Sequence, residues 1–93
     1  MNDGAILAVL SVAFHNRVIR PTAEAGFEAI RGLSKTDFDD AVLADSVAAC
    51  VRDGLIREPI RLPEGALQCH WHLELTPAGV VAARQMLTNQ SLD

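Results

Sequence analysis

Apolar residues recur at helical spacing in three segments of the first half of this chain. The segments cover residues 5–19, 22–33 and 37–53, and each predicts a helix with an apolar stripe. Pro21 ends the first segment, because the residue before a proline disfavours the helical region. Gly54 suits the left-handed position just after the third segment, where a side chain would be strained. The first half is therefore predicted to be helical.

The pattern changes after Gly54, and the new spacing predicts two antiparallel strands. Residues 55–62 have no helical period, and Pro59 favours an edge position for this strand. Residues 63–66 form a short hairpin loop. Residues 67–75 alternate between apolar and polar, which is typical of a strand with one buried face. The inward side chains are Leu67, Cys69, Trp71, Leu73 and Leu75, and the outward ones are Gln68, His70, His72 and Glu74.

Capping residues place the starts of the later helices. Thr76 is the predicted N-cap of a last helix, with Pro77 at its first position. Thr36 is the predicted cap of the third helix, and Asp39 completes a variant capping box. The predicted fold class is therefore α+β, with three helices, a two-stranded hairpin and a C-terminal helix. Residues 1–93 make one domain, with a core of about residues 5–88.

Composition indicates the cell compartment and limits the kinds of activity to expect. Cys50 and Cys69 both fall at predicted inward positions, as expected for reduced thiols in a cytoplasmic protein. No run is long enough to span a bilayer, and no Lys or Arg precedes the apolar stretch at residues 5–14, so we expect neither a membrane segment nor a signal peptide. We find no nucleophile motif and no Gly-rich phosphate loop, and therefore predict no enzyme activity and no cofactor.

Two histidines raise the possibility of a metal site. His70 and His72 face the same way on one predicted strand, with Glu74 beside them. Zinc sites need a third and usually a fourth ligand, and Cys69 points to the opposite face. We expect no metal here. We interpret the pair instead as two exposed histidines beside the arginines.

The first predicted helix is apolar on most sides. Such a helix must be buried on most sides, and a 93-residue domain has little room for that. We therefore predict a homodimer through this helix, with Leu7, Leu10, Phe14 and Val18 in its interface. The alternative is a central core helix that the other helices surround.

The order of elements and two short motifs resemble the winged helix-turn-helix superfamily. The motifs are GLI at residues 54–56, where the third helix runs into a strand, and LTPAG at residues 75–79, where the last helix begins. The chain is most similar to small regulators of the bacterial or phage type. This resemblance covers about residues 5–88 and implies a winged-helix fold that binds double-stranded DNA. The third helix would then enter the major groove, and the hairpin wing would contact the backbone or minor groove.

The candidate binding residues lie on the wing, on the third helix and, for Lys35, just before that helix. Arg57 is predicted to lie across from His72 and Arg61 from Gln68, so that His70 falls between the arginines. This face could hold phosphates or the carboxylates of a partner, or could be a solvated strand face. The full set of candidates is Lys35, Asp45, Arg52, Arg57, Arg61, Gln68, His70 and His72.

The charge of the third helix departs from the family pattern. Residues 37–53 hold five aspartates and one arginine, and the whole chain has a net charge of −4. DNA affinity depends on Lys and Arg neutralising phosphates. The predicted outer face carries Ala41, Asp45, Ala48, Ala49 and Arg52. The usual role of the fold favours a small, homodimeric DNA-binding regulator, which is the function we expect. The acidic third helix and the apolar first helix favour one alternative, a winged-helix protein-interaction module that does not bind DNA.

Overall fold

The computed structural model describes residues 3–61 and 70–91 of the chain, with side chains at 3–60 and 70–88. The described part holds four helices and three short strands, so the predicted α+β class is confirmed. In chain order the elements are α1 (Asp3–His15), β1 (Val18–Arg20), α2 (Ala23–Ser34), α3 (Asp40–Arg52), β2 (Ile60–Arg61), β3 (His70–Leu73) and α4 (Pro77–Ser91).

The three strands form one antiparallel sheet with β3 in the centre, in the order β1-β3-β2. Val18 pairs with Leu73 on one side, and Ile60 pairs with Trp71 on the other. The predicted strand at residues 55–62 is shorter than expected, because its first half makes only an isolated bridge between Ile56 and Leu75. The hairpin loop predicted at residues 63–66 lies outside the described residues.

Strand β1 corrects the prediction of a first helix that continues to residue 19. The helix ends at His15, and the Asn16 backbone N–H and side-chain amide both donate to the Val12 carbonyl, at 2.9 and 3.2 Å. These bonds satisfy a carbonyl that the last turn leaves open. The chain then extends, and Val18 is fully buried against the sheet. The β-branched Val18 and Ile19 suit this extended conformation, and Arg20 precedes Pro21, which disfavours the helical region for it.

The core lies between the inner face of the sheet and the helices, and α1 crosses its centre. Buried side chains from α1, α2, α3 and β3 meet there. Phe27 packs edge-on against Trp71, with ring centroids 5.6 Å apart. Gly26 allows this packing, because a Cβ at this position would lie 2.2 Å from Trp71 Cε3. Within residues 3–61 and 70–91, no helix has the length and apolar character needed to cross a lipid bilayer.

The connection between α2 and α3 differs from the predicted capping box. Asp39, not Thr36, caps α3: its carboxylate accepts a hydrogen bond from the Val42 N–H at 2.9 Å. The Thr36 hydroxyl instead hydrogen-bonds to Ser34 Oγ at 2.7 Å. The aspartate wins because its charged oxygens suit the positive end of the helix better than a hydroxyl does. Arg31 then joins the two helices through an ion pair with Asp40.

The glycine stop and the last cap are confirmed. Gly54 has φ +74, in the left-handed region, just after α3. The Thr76 hydroxyl accepts a hydrogen bond from the Gly79 N–H at 3.0 Å and donates to the Gly54 carbonyl. The Thr76 N–H donates to the Leu55 carbonyl at 3.0 Å. The two motifs thus meet in space, and the start of α4 is fixed to the end of α3.

Candidate functional site

The exposed face of α3 consists mainly of alanine. Ala44 and Ala48 lie one turn apart on this face, and Asp45 is exposed beside them. Arg52 is the basic residue of the helix, and its Nε lies 3.7 Å from an Asp53 carboxylate oxygen. Ala49, which we predicted on the outer face, is only 7% exposed, because it lies three residues after the buried Ser46 and shares its face of the helix. This face therefore presents small apolar groups with little positive charge.

A groove of about 400 Å³ lies between α2, α3 and β2. Phe27 and Trp71 form the part nearest the core, and both are less than a tenth exposed. The remaining lining comes from small or apolar side chains and two charged ones: Ala23, Ala44, Val47, Ala48, Val51, Arg52, Glu58, Pro59 and Ile60. The groove is therefore an apolar surface in contact with solvent, beside the helix that the resemblance assigns to DNA.

Ile60 shows that the core is not closed at this edge. It pairs directly with Trp71, and side chains directly opposite each other on antiparallel strands share one face of a sheet. Trp71 is 4% exposed, whereas Ile60 is 61% exposed. Ile60 therefore lies on the helix-facing side of the sheet, at its β2 edge, with no helix covering it in the described part of the chain.

The register of the hairpin differs by two residues from the predicted one. The Arg57 N–H donates to the Glu74 carbonyl at 2.9 Å, and Arg61 pairs with His70. Arg57 therefore lies across from Glu74 and not from His72, and its Nε is 3.2 Å from Glu74 Oε2. The predicted position of Arg57 opposite His72 is therefore wrong, and Arg57 lies beside a carboxylate on this face.

Of the other predicted wing residues, the structure describes the side chains of His70 and His72. His72 pairs with Ile19 of β1, and both histidines are half-buried. Gln68 and the side chain of Arg61 lie outside the described residues. Among the described side chains, no group of three or more His, Cys, Asp and Glu is arranged to hold a metal ion.

Lys35 is separate from the candidate surface. It follows α2 with φ 56, which is unusual for a residue other than glycine, and its side chain is exposed. Its backbone N–H caps α2 by bonding to the Arg31 carbonyl. It does not line the groove, whereas Arg52 does and Asp45 lies on the adjoining face of α3.

The predicted dimer residues divide into two pairs. Leu10 and Val18 are fully buried inside the chain, so their assignment to an interface is wrong. Leu7 and Phe14 are half-buried and keep part of their surface in solvent. Leu7 also lines a second depression of about 440 Å³ together with Phe38 and Leu33, which is 48% exposed.

Cys50 is a buried free thiol in the core side of α3. Burial, with a smaller contribution from the charge of Asp53, raises the pKa of this thiol to about 11. Such a group stays protonated and is a poor nucleophile at neutral pH. Cys50 is therefore part of the packing.

Comparisons with protein-family models, with curated proteins and with solved structures gave no match to this chain.

The sequence pattern did not identify the groove. Alternation places Ile60 on the inward side of its strand, where we expect an apolar residue to be buried. The exposure of Ile60 depends on where the helices end relative to the edge of the sheet, which the alternation of residues does not show. The signal available in the sequence was the pair of alanines at positions 44 and 48, since α3 carries no long side chain there to cover its own neighbours.

Proposed function

We propose that this chain is a winged-helix protein-interaction module that binds a partner through the groove between α2, α3 and β2. The observation that carries this proposal is the exposure of Ile60 on the helix-facing side of the sheet. Exposed apolar surface next to a formed groove is typical of interaction sites. A partner that covers Ile60 would close the core at this edge.

The charges around α3 also support a protein partner over DNA. A DNA-binding helix needs cations that are available to phosphates. Arg52 and Arg57 each have a carboxylate within 4 Å, and Arg31 is paired with Asp40. Asp45 projects from the exposed face of α3, where it would repel the DNA backbone.

A DNA-binding regulator is the second candidate, and the exposure of two arginines favours it. The side chains of Arg52 and Arg57 are 67% and 54% exposed. Exposed ion pairs contribute little, about 0–1 kcal/mol, so phosphates could replace the carboxylates. The order of two successive helices followed by antiparallel strands supports this use of the fold as well.

The first experiment is site-specific photo-cross-linking in cells of the source organism. The photoreactive residue benzoylphenylalanine replaces Ala48 in the groove or Arg84 on the exposed side of α4 as a matched control. We expect a discrete protein adduct from position 48, none from position 84, and loss of the adduct when Ile60→Asp is added.

A DNA titration tests the second candidate function, the DNA-binding regulator. Fluorescence anisotropy of a labelled random duplex is measured at low and at raised salt. Absence of the adduct, together with duplex binding near 1 µM that weakens steeply with salt, would overturn the protein-binding proposal and favour the regulator.

A further inference from the structure

We infer that the occupant of the groove is a basic amphipathic helix of a partner protein, an inference that rests on the proposed function. Two properties of the groove carry it: the shape of the α3 wall, and the sign of the charges around it.

The α3 wall suits a helix with large apolar side chains. Ala44 and Ala48 leave room above the helix, and Val51 continues the apolar wall one turn further. Helices that pack with small residues at the contact approach each other closely. Residues 44–52 span about 12 Å at 1.5 Å per residue, which matches about two turns of a partner helix.

An extended peptide fits this site less well. Strand addition depends on a row of backbone hydrogen bonds along a sheet edge. Within the described residues, the edge strand β2 comprises Ile60 and Arg61, and Pro59 before it has no N–H to donate. The apolar wall is larger than the available edge, so the geometry favours a helix in a groove over an added strand.

The charges around the groove select a basic partner. Glu58 lines it, Asp45 is exposed next to Ala44, and Glu24 is exposed next to Ala23. Among the described side chains of the lining, Arg52 is the cation, and Asp53 partly neutralises it. Lys and Arg on the flanks of a partner helix would therefore be attracted, and Asp and Glu repelled.

The test uses two labelled 15-residue peptides as probes. Both carry Leu at helical spacing on one face and Ala and Gln elsewhere, and they differ only in four flanking residues, all Lys or all Glu. Binding to the full chain is measured by fluorescence anisotropy. We expect the Lys peptide to bind about tenfold more tightly than the Glu peptide, as several surface ion pairs would give.

Three variants test whether peptide binding, and the preference for the Lys peptide, arise in the groove. Ile60→Asp should abolish binding of the Lys peptide, because it places a charge in the apolar groove. Asp45→Lys with Glu58→Lys should remove the preference between the peptides. Asp3→Lys with Asp37→Lys makes the same change in net charge at exposed positions outside the groove lining, and should leave the preference intact. Circular dichroism checks that each variant folds.

The outcomes separate this inference from the proposed function. If both peptides bind equally and Ile60→Asp abolishes both, the groove binds proteins but the basic partner is excluded. If the preference survives Asp45→Lys with Glu58→Lys, or disappears in the Asp3 and Asp37 control, the charges act elsewhere and the inference is overturned. If neither peptide binds, the helical occupant is overturned, while the cross-link from position 48 still decides the proposed function.

Discussion

Gly79 occupies a position where no side chain fits. A Cβ there would lie 1.8 Å from the carbonyl oxygen of Leu55, which belongs to the backbone that leads from α3 into the sheet. Relief of this clash requires α4 to move away from the Thr76 cap. We therefore predict that Gly79→Ala lowers the free energy of unfolding by about 3 kcal/mol or more, measured by urea denaturation with Trp71 fluorescence.

Gly32 is the matched control for this change. It lies near the end of α2, and a Cβ there would meet no atom within 4 Å. Alanine favours a helix over glycine, so Gly32→Ala should raise the free energy of unfolding by about 0.5–1 kcal/mol. Equal effects of the two substitutions would contradict the close approach of α4 to residue 55.

The Cys50 thiol makes the free energy of unfolding depend on pH in the alkaline range. Its folded-state pKa is raised from 9.0 to about 11, because burial opposes the thiolate. The unfolded chain therefore releases the proton first, and the stability that the thiol supplies is present below pH 9 and lost as pH rises from 9 to 11. We expect a loss of about 2–3 kcal/mol over this range.

Denaturation of the wild type and Cys50→Ala at pH 8 and pH 10.5 measures this effect. Other groups titrate in the same range, so the difference between the two proteins isolates the thiol. The variant is expected to be less stable at pH 8 and to lose less stability at pH 10.5. A parallel loss in both proteins would show that the thiolate is accommodated in the folded state.

Individual elements were predictable where a residue acts on its own backbone neighbours. The glycine stop at Gly54 and the cap at Thr76 need only local geometry, and both are found. The helix over α2 is also predicted within one residue of its observed bounds. The predicted N-cap of α3 was wrong. Three aspartates follow Thr36 in the same short segment, and the sequence pattern does not show which of these residues caps the helix.

Elements that depend on distant partners were not predictable. Strand β1 is three residues long and forms because Leu73, over fifty residues later, offers a free edge to Val18. Val18 lies four residues after Phe14, so helical spacing extends the predicted helix through the strand. The hairpin register depends on the loop between β2 and β3, and a shift by two residues keeps every side chain on its predicted face.

The described part of the molecule presents an exposed apolar region separate from the groove, and this region bears on the oligomeric state. Leu7 of α1 lies beside Leu33, which is half-exposed, in a depression on another part of the surface from the groove. We predict a homodimer through this region. At tens of micromolar, light scattering should give about twice the monomer mass of 10.0 kDa, and Leu7→Asp should give the monomer.

Ile60→Asp is the control for the dimer, because it introduces the same charge in the other apolar region. It should leave the mass unchanged. A wild-type chain that stays monomeric at every concentration would contradict the dimer. Loss of the dimer in Ile60→Asp alone would instead place a second copy of the chain in the groove.

The packing of α1 has a consequence for synthesis of the chain. This helix contacts α3 and α4, and it buries five of its residues. During translation α1 is made first and α4 last, with residues 16–76 between them. At 5–20 residues per second, the 76 residues from 16 to 91 take on the order of 4–15 seconds, and α1 waits that long for its final neighbour. Until α4 is made, the part of α1 that α4 covers stays accessible to chaperones and proteases, so the speed of the ribosome influences how much of the chain reaches its folded form.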